Sequence, residues 1–234
     1  MAAESSSEST PEEFSRPEAR AAAARSRAYA ALAHFFRYPD GAFREDLRDG
    51  TLATALRAIL ADIHPKLVED VDWDVLGNVG NEPDALAVEY TRLFDTGAAG
   101  PPCPLYGGLY AGTRMKTMEE SVRFYNHFGL TLSDEPRELP DHLITQLEFL
   151  HFLSFREAGA LESGEDPNPY RCAQRDFISR HPGKWVPDLR SRLESQDPMP
   201  FFRELVARLG DFLIHDEAHL VAQVGPVPRT SVAF

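Results

Sequence analysis

The sequence predicts an all-α bundle, and three features carry that reading. Apolar residues recur at three- and four-residue spacing through most of the 234-residue chain, as the buried stripe of an α-helix requires. No segment sustains the period-two alternation with β-branched enrichment that marks a strand. The breaks in the helical rhythm fall at Pro, Gly and Asp-Gly, which interrupt helices through a missing donor, a restricted φ or a preference for turns.

In chain order, residues 1–14 are Ser- and Glu-rich and read as a disordered acidic tail. Ser15-Arg16-Pro17-Glu18 reads as a capping box with proline in the first turn. The helix that follows extends to about Arg37, with Ala21, Ala24, Ala28, Leu32 and Phe35 on one face, and Tyr38-Pro39-Asp40-Gly41 ends it. From Thr51, the stripe Leu52, Leu56, Ile59, Leu60 and Ile63 defines a helix that stops at Pro65. After the acidic stretch Glu69–Asp74, Asn81-Glu82-Pro83-Asp84 caps another helix, with Leu86, Tyr90, Leu93 and Phe94 facing inward.

Residues 95–112 contain three prolines and several glycines and form a long loop with two tyrosines, Tyr106 and Tyr110. Such a loop inside a compact domain is functional or disordered. Helix resumes at Thr113, with Met115, Met118, Val122 and Tyr125 in phase and Gly129 past its end. A second loop, Leu130–Leu139, leads to the longest helix, about Pro140–Ala158, with Leu143, Leu147, Leu150 and Ser154 on one face and Gly159 as its terminator. Beyond a break at Gly164–Pro169, helices are expected at about 169–181, 186–195 and 199–220, the last with Phe202, Leu205, Leu209, Phe212 and Leu213 at core spacing. The folded domain is therefore expected over 15–220, as one bundle or as two lobes hinged near 159–169, with 221–234 a flexible tail.

Composition narrows the function. Thirty-seven acidic against 24 basic residues give a net charge of −13, a field that repels nucleic acid and anionic lipid and favours a basic partner segment. No run approaches the roughly 20 apolar residues that span a bilayer. The N-terminus has neither the basic start nor the apolar run of an export signal, so a cytoplasmic location is expected. Cys103 and Cys172 are the two cysteines; two free thiols is the preferred reading, and one disulfide stays open.

Chemistry-bearing patterns are sparse. His215 and His219 are spaced as half a zinc site, but Asp216 stands where a zincin has glutamate, and a solvated helix end is the better reading. Glu148-x-x-His151 matches one element of a di-iron bundle and lacks its second copy. There is no phosphate loop and no nucleophile elbow, so no enzyme activity and no cofactor are expected. One constellation remains, Glu138-Leu139-Pro140-Asp141-His142-Leu143 closing on Glu148-Phe149-Leu150. Asp141 is favoured in a first helical turn by the dipole, and Glu148, seven residues on, is expected on the same face, so that both could take cationic groups.

These residues resemble the signature of the TorD/DmsD/NarJ chaperones, the redox enzyme maturation proteins, which show Glu-x-Pro-Asp-His followed by a Leu-Glu-Phe run. Glu89-Tyr90-Thr91-Arg92-Leu93-Phe94 is similar to the family's Tyr-x-Arg-Leu-Phe element. Pro101–Tyr110 is similar to its Pro-rich, Tyr-containing loop, with Gly107 where serine is common. Phe124-Tyr125 through Gly129-Leu130, Asp176-Phe177, His181 and Trp185-Val186-Pro187 extend the likeness over about residues 25–220. The resemblance implies an all-helical chaperone without chemistry of its own. Its implied partner is the catalytic subunit of a molybdenum oxidoreductase of the DMSO reductase superfamily, bound through a twin-arginine leader, or a leader remnant in its N-terminal region, until the cofactor is inserted. It implies a peptide site at Asp141, His142, Glu148, Glu138, Tyr90, Arg92, Phe94, Tyr106 and Tyr110, with Arg92 expected to order the loop or pair with a carboxylate. A monomer or a domain-swapped dimer is expected. A helical peptide adaptor unrelated to redox enzymes, or a small nucleotide-binding helical protein, is the alternative.

Overall fold

Alanine dominates the first helix because that helix has to lie close to a neighbour. In the computed structural model, which describes residues 14–77, 84–98, 100–110, 112–131 and 139–228, α1 (Pro17–Phe35) buries Ala19, Ala22, Ala23, Ala24 and Ala28. It runs along α7 (Leu143–Ser163) in the most extensive helix pairing of the described residues, and small side chains let two helix axes approach. The expected face holds for Ala24, Ala28, Leu32 and Phe35, whereas Ala21 is exposed and Arg25 is buried near its place in the stripe.

The expected capping box does not form. Arg16 is the N-cap residue and gives no side-chain cap. Glu162, near the far end of α7, instead accepts the Ser15 and Arg16 N–H groups at 3.0 Å each and the Ser15 hydroxyl. A carboxylate from another helix does at this terminus what Glu18 was expected to do, with the same dipole advantage. Phe14, assigned to the tail by sequence, is buried with its ring 6.0 Å from Phe155. Residues 1–13 of that expected tail lie outside the described residues.

Asp40 ends the turn after α1 and caps α2 (Gly41–Arg48), accepting the Phe43 N–H at 2.9 Å. Neither α2 nor the single-turn α4 (Trp73–Gly77) was expected, since each is too short to display a period. Between them, α3 (Thr51–Ile63) has the bounds that the sequence predicts. Helix α5 (Ala85–Tyr90) continues through a π-helical turn at Thr91–Asp95, closed by the Thr96 N–H on the Thr91 carbonyl at 3.0 Å.

After the loop come α6 (Arg114–His127), α7, α8 (Asn168–Arg180), α9 (Pro182–Glu194) and α10 (Pro200–Val224). Three expectations are corrected here. Met115 is 64% exposed, because the inward face of α6 is Ser121 and Tyr125. Gly159 lies inside α7, where it is exposed and a Cβ would meet nothing. The terminator is Gly164, in the left-handed region at φ 78°, with the Glu165 N–H returning to the Ala160 carbonyl at 2.8 Å. Helix α10 also outlasts its expected end and takes Val221–Val224 from the expected tail.

One buried cluster extends from Ala28 to Leu220 and draws on helices from both sides of the 159–169 break. No strand is found among the described residues, and no helix among them is long and apolar enough to cross a membrane.

A charged network crosses the middle of this core. Arg25 is 3% exposed and reaches Glu157 of α7, Asp216 of α10 at 3.1 Å and Gln174 of α8 at 3.0 Å. Tyr29 donates to Asp216 at 2.5 Å, and Arg171 to Glu157 at 2.7 Å. Burial pushes the Glu157 carboxyl up, but Arg25 and the bonds from Arg171 and Gln174 outweigh it and hold the group below its ordinary value. Arg25→Met is expected to destabilise the fold by about 3–5 kcal/mol, since it takes the buried Asp216 carboxylate's cation away and leaves Glu157 with Arg171 alone. Urea unfolding at neutral pH measures this, and a loss below about 1 kcal/mol would show that the network is not sealed from water.

Candidate functional site

The site grows from a turn just ahead of α7. Pro140 and Asp141 precede the helix rather than opening it, and His142 is the N-cap residue, its Nδ1 accepting the Ile144 N–H at 3.3 Å. Asp141 is therefore not a first-turn dipole charge. Its side chain is wholly buried and turned toward the 105–110 loop.

That loop is held along its length. The Asp141 carbonyl accepts the Gly107 N–H at 2.9 Å, and carboxylate Oδ2 accepts the Gly108 N–H at 3.0 Å. The Leu105 carbonyl accepts the Leu143 N–H at 2.8 Å, and the Tyr106 ring packs edge-on against His142 at 4.8 Å. From below, the Tyr125 hydroxyl donates to the Pro140 carbonyl at 2.7 Å. Burial pushes the Asp141 carboxyl above its ordinary value, against the opposing effect of the Gly108 N–H. Carboxylate Oδ1 is buried without a hydrogen-bond partner among the described residues. An acid kept in such a place contributes geometry, because an unpaired buried polar atom is otherwise costly.

The outer end of the loop is stacked. Tyr110 lies on the Trp185 indole at 5.1 Å and 25°, and the Arg192 guanidinium covers the other part of the stack, 4.1 Å from the Tyr110 ring centre. Trp185 donates to Gln146 at 3.1 Å, and Gln146 donates to the Asp141 carbonyl at 3.4 Å, which closes the circuit from α9 through α7 to the turn. Gly107 fits under this indole only because it has no side chain: a Cβ there would stand 2.8 Å from Trp185 Nε1.

A second constellation surrounds Tyr90. Its hydroxyl donates to the Phe36 carbonyl at 3.1 Å, and its ring meets Tyr38, Phe94 and Phe202 edge-on or tilted at 5.1–6.2 Å. Arg92 grips Glu89 with two bonds at 2.7 and 2.8 Å and reaches the Gln196 carbonyl at 3.2 Å. Glu89 in turn accepts the N–H of Met199, the N-cap residue of α10, at 3.0 Å. Arg92 thus pairs with a carboxylate, and the pair fixes the start of α10.

The structure brings Asp141, His142, Tyr106 and Tyr110 together and places Tyr90, Arg92 and Phe94 in the second group. It does not bring Glu148 to Asp141. Glu148 is exposed on α7 while Asp141 is buried ahead of it, because the helix begins two residues after Asp141, so seven-residue spacing does not apply between them. Glu138 lies outside the described residues. Gln146, Trp185 and Arg192 were not picked out as site residues. No spacing rule links them, since each reaches the loop from its own turn of α7 or α9.

Cys103 is free and buried, and burial pushes its thiol up to about 11; Cys172 is free and half-buried. His181, at the α8–α9 corner, packs 4.5 Å from the Phe177 ring, and burial pulls its imidazole down to about 4. His215 packs 4.9 Å from His64, and His151 hydrogen-bonds Ser26 at 2.8 Å.

Residues 49–191 match the family model described as nitrate reductase delta subunit. A chlorate reductase assembly chaperone protein of Ideonella dechloratans is 35% identical over 195 residues, covering 78% of this chain and 88% of that protein. A selenate reductase assembly chaperone protein of Thauera selenatis is 34% identical with the same two coverages. A perchlorate reductase assembly chaperone protein of Dechloromonas aromatica is 31% identical, covering 84% of this chain and 88% of its own.

Two glycine substitutions separate the tight loop from the helix interior. Gly107→Ala is expected to lower stability by about 1–3 kcal/mol, because the methyl has to displace the indole. Gly159→Ala is expected to raise it by about 0.5–1 kcal/mol, since an open helix interior favours alanine. Denaturant melts of both variants provide the measurement, and a Gly107→Ala protein as stable as the parent would show that Trp185 has room to move.

Proposed function

The chain belongs to the nitrate reductase delta subunit family, the TorD/DmsD/NarJ chaperones, and on that premise we propose that it is an assembly chaperone for the catalytic subunit of a molybdenum oxidoreductase. In this reading it holds the subunit in the cytoplasm through a basic, apolar leader until the cofactor has been inserted. It acts by binding rather than by catalysis. The observation that carries the reading is that relatives aligned over about four-fifths of the chain are named as assembly chaperones of chlorate, selenate and perchlorate reductases.

Charge supports it. A net charge of −13 attracts a basic segment at long range and favours fast encounter over tight locking. The site supports it too, because its polar groups are spent on fixing backbone and leave a stable frame for a partner. Candidate clients are oxyanion-reductase catalytic subunits of the chlorate, selenate and perchlorate types.

The test is co-expression. Each candidate catalytic subunit is produced with and without the chain, and molybdenum content per subunit is measured alongside reductase activity. At least one client is expected to lose most of its molybdenum when the chain is absent, and deleting that client's leader is expected to abolish the benefit. Equal metal loading in all pairs would contradict the chaperone reading, while loading that survives leader deletion would contradict the leader as its handle.

A further inference from the structure

A cleft of about 500 Å3 opens between the α1–α2 turn and α5, with Tyr38, Pro39 and Arg44 on one side and Asp84, Val88 and Thr91 on the other. Its volume is that of an ordinary ligand cleft, enough for several side chains. Two large apolar side chains face solvent there, Tyr38 at 53% and Val88 at 65% exposure. Together they offer an apolar contact to a partner that enters the cleft.

The walls are fixed from behind. Tyr38 stands edge-on to Tyr90 at 5.6 Å and 85°, and Tyr90 is tied to the Phe36 carbonyl and packed on Phe94. The cleft is thus the outer surface of the Tyr90 constellation. The rim is acidic on both sides, with Asp40 on the turn and Asp84 ahead of α5. Arg44 crosses the cleft to Asp84 at 2.5 Å and ties the walls together, yet the Asp84 side chain remains 78% exposed, so a second cation can share it. Asp141 and His142, by contrast, are buried, and a peptide cannot touch them while the loop is in place.

We propose that this cleft, rather than the Asp141–His142 turn, is where the client's leader docks. Apolar leader side chains insert between Tyr38 and Val88, and a leader arginine or lysine lies against Asp84 and Asp40. The proposal rests on the leader-binding reading above and assigns its place. The charge pattern favours this occupant, since an acidic rim around apolar walls complements a basic residue followed by an apolar run.

Calorimetric titration tests it, using a synthetic peptide of two arginines followed by a leucine- and alanine-rich run, and a control with two glutamates in place of the arginines. Val88→Asp is expected to weaken binding of the arginine peptide at least about tenfold, because a charge then replaces an apolar contact. Ile214→Asp, on an equally exposed side chain of α10, is expected to change it by less than about twofold. Both variants should melt with the parent protein, since neither side chain is in the core. Binding of the peptide with no effect of Val88→Asp would overturn the cleft and leave the leader reading standing. No binding by the parent protein would overturn the leader reading itself. Equal binding of the glutamate peptide, or dimerisation through this face, would overturn the proposed occupant.

Discussion

A buried backbone-to-acid contact organises the turn ahead of α7: Asp141 receives the Gly107 N–H on its carbonyl and the Gly108 N–H on its carboxylate. A loop rich in proline and glycine has little conformational preference of its own and loses much entropy when fixed. Here that loss is offset by bonds made out of water, where each is stronger and each failure more costly. With the loop fixed, Tyr110 can stack between Trp185 and Arg192, Tyr106 can pack on His142, and α7 can begin at Leu143 in register. The Arg25 network has the complementary role of joining α1, α7, α8 and α10 behind the site.

Long helices were legible because burial imposes a period on them. The Leu52–Ile63, Leu143–Ser154 and Phe202–Leu213 stripes all lie on buried or half-buried faces, and α3 has its expected bounds. What failed was what depends on distant partners. Ser15 and Glu18 have the form of a capping box, but Glu162 lies 147 residues from Ser15 in sequence and takes the cap. Gly159 resembles a terminator, yet the helix runs on to the next glycine, Gly164, which adopts positive φ and ends it. The Asp141–Glu148 spacing assumed a helix start at Pro140, whereas the helix begins at Leu143, after the turn that holds the loop.

The sequence named Asp141, His142, Tyr106 and Tyr110, which the structure brings together, but it joined Glu148 to them and did not show that Asp141 and His142 turn inward. Motif residues of this family invite the reading that they meet the client. In this chain Asp141, His142 and Tyr90 are turned inward, and what faces outward beside Tyr90 is Tyr38 and Val88. A sequence motif reports that a position is constrained, and a frame constrains its residues as strongly as a contact does. Exposure separates the two, and exposure at a loop is set by tertiary contacts that a periodic pattern does not encode.

The central claim is that the Asp141 turn is a structural clamp, and amide hydrogen exchange at single residues tests it most directly. The clamp predicts that the Gly107 and Gly108 amides exchange as slowly as amides in the middle of α7, and that all of them respond together to denaturant, because opening the loop requires opening the core. Exchange of Gly107 and Gly108 at the rate of a solvated loop, while α7 stays protected, would contradict it and return Asp141 and His142 to the surface that a client can reach.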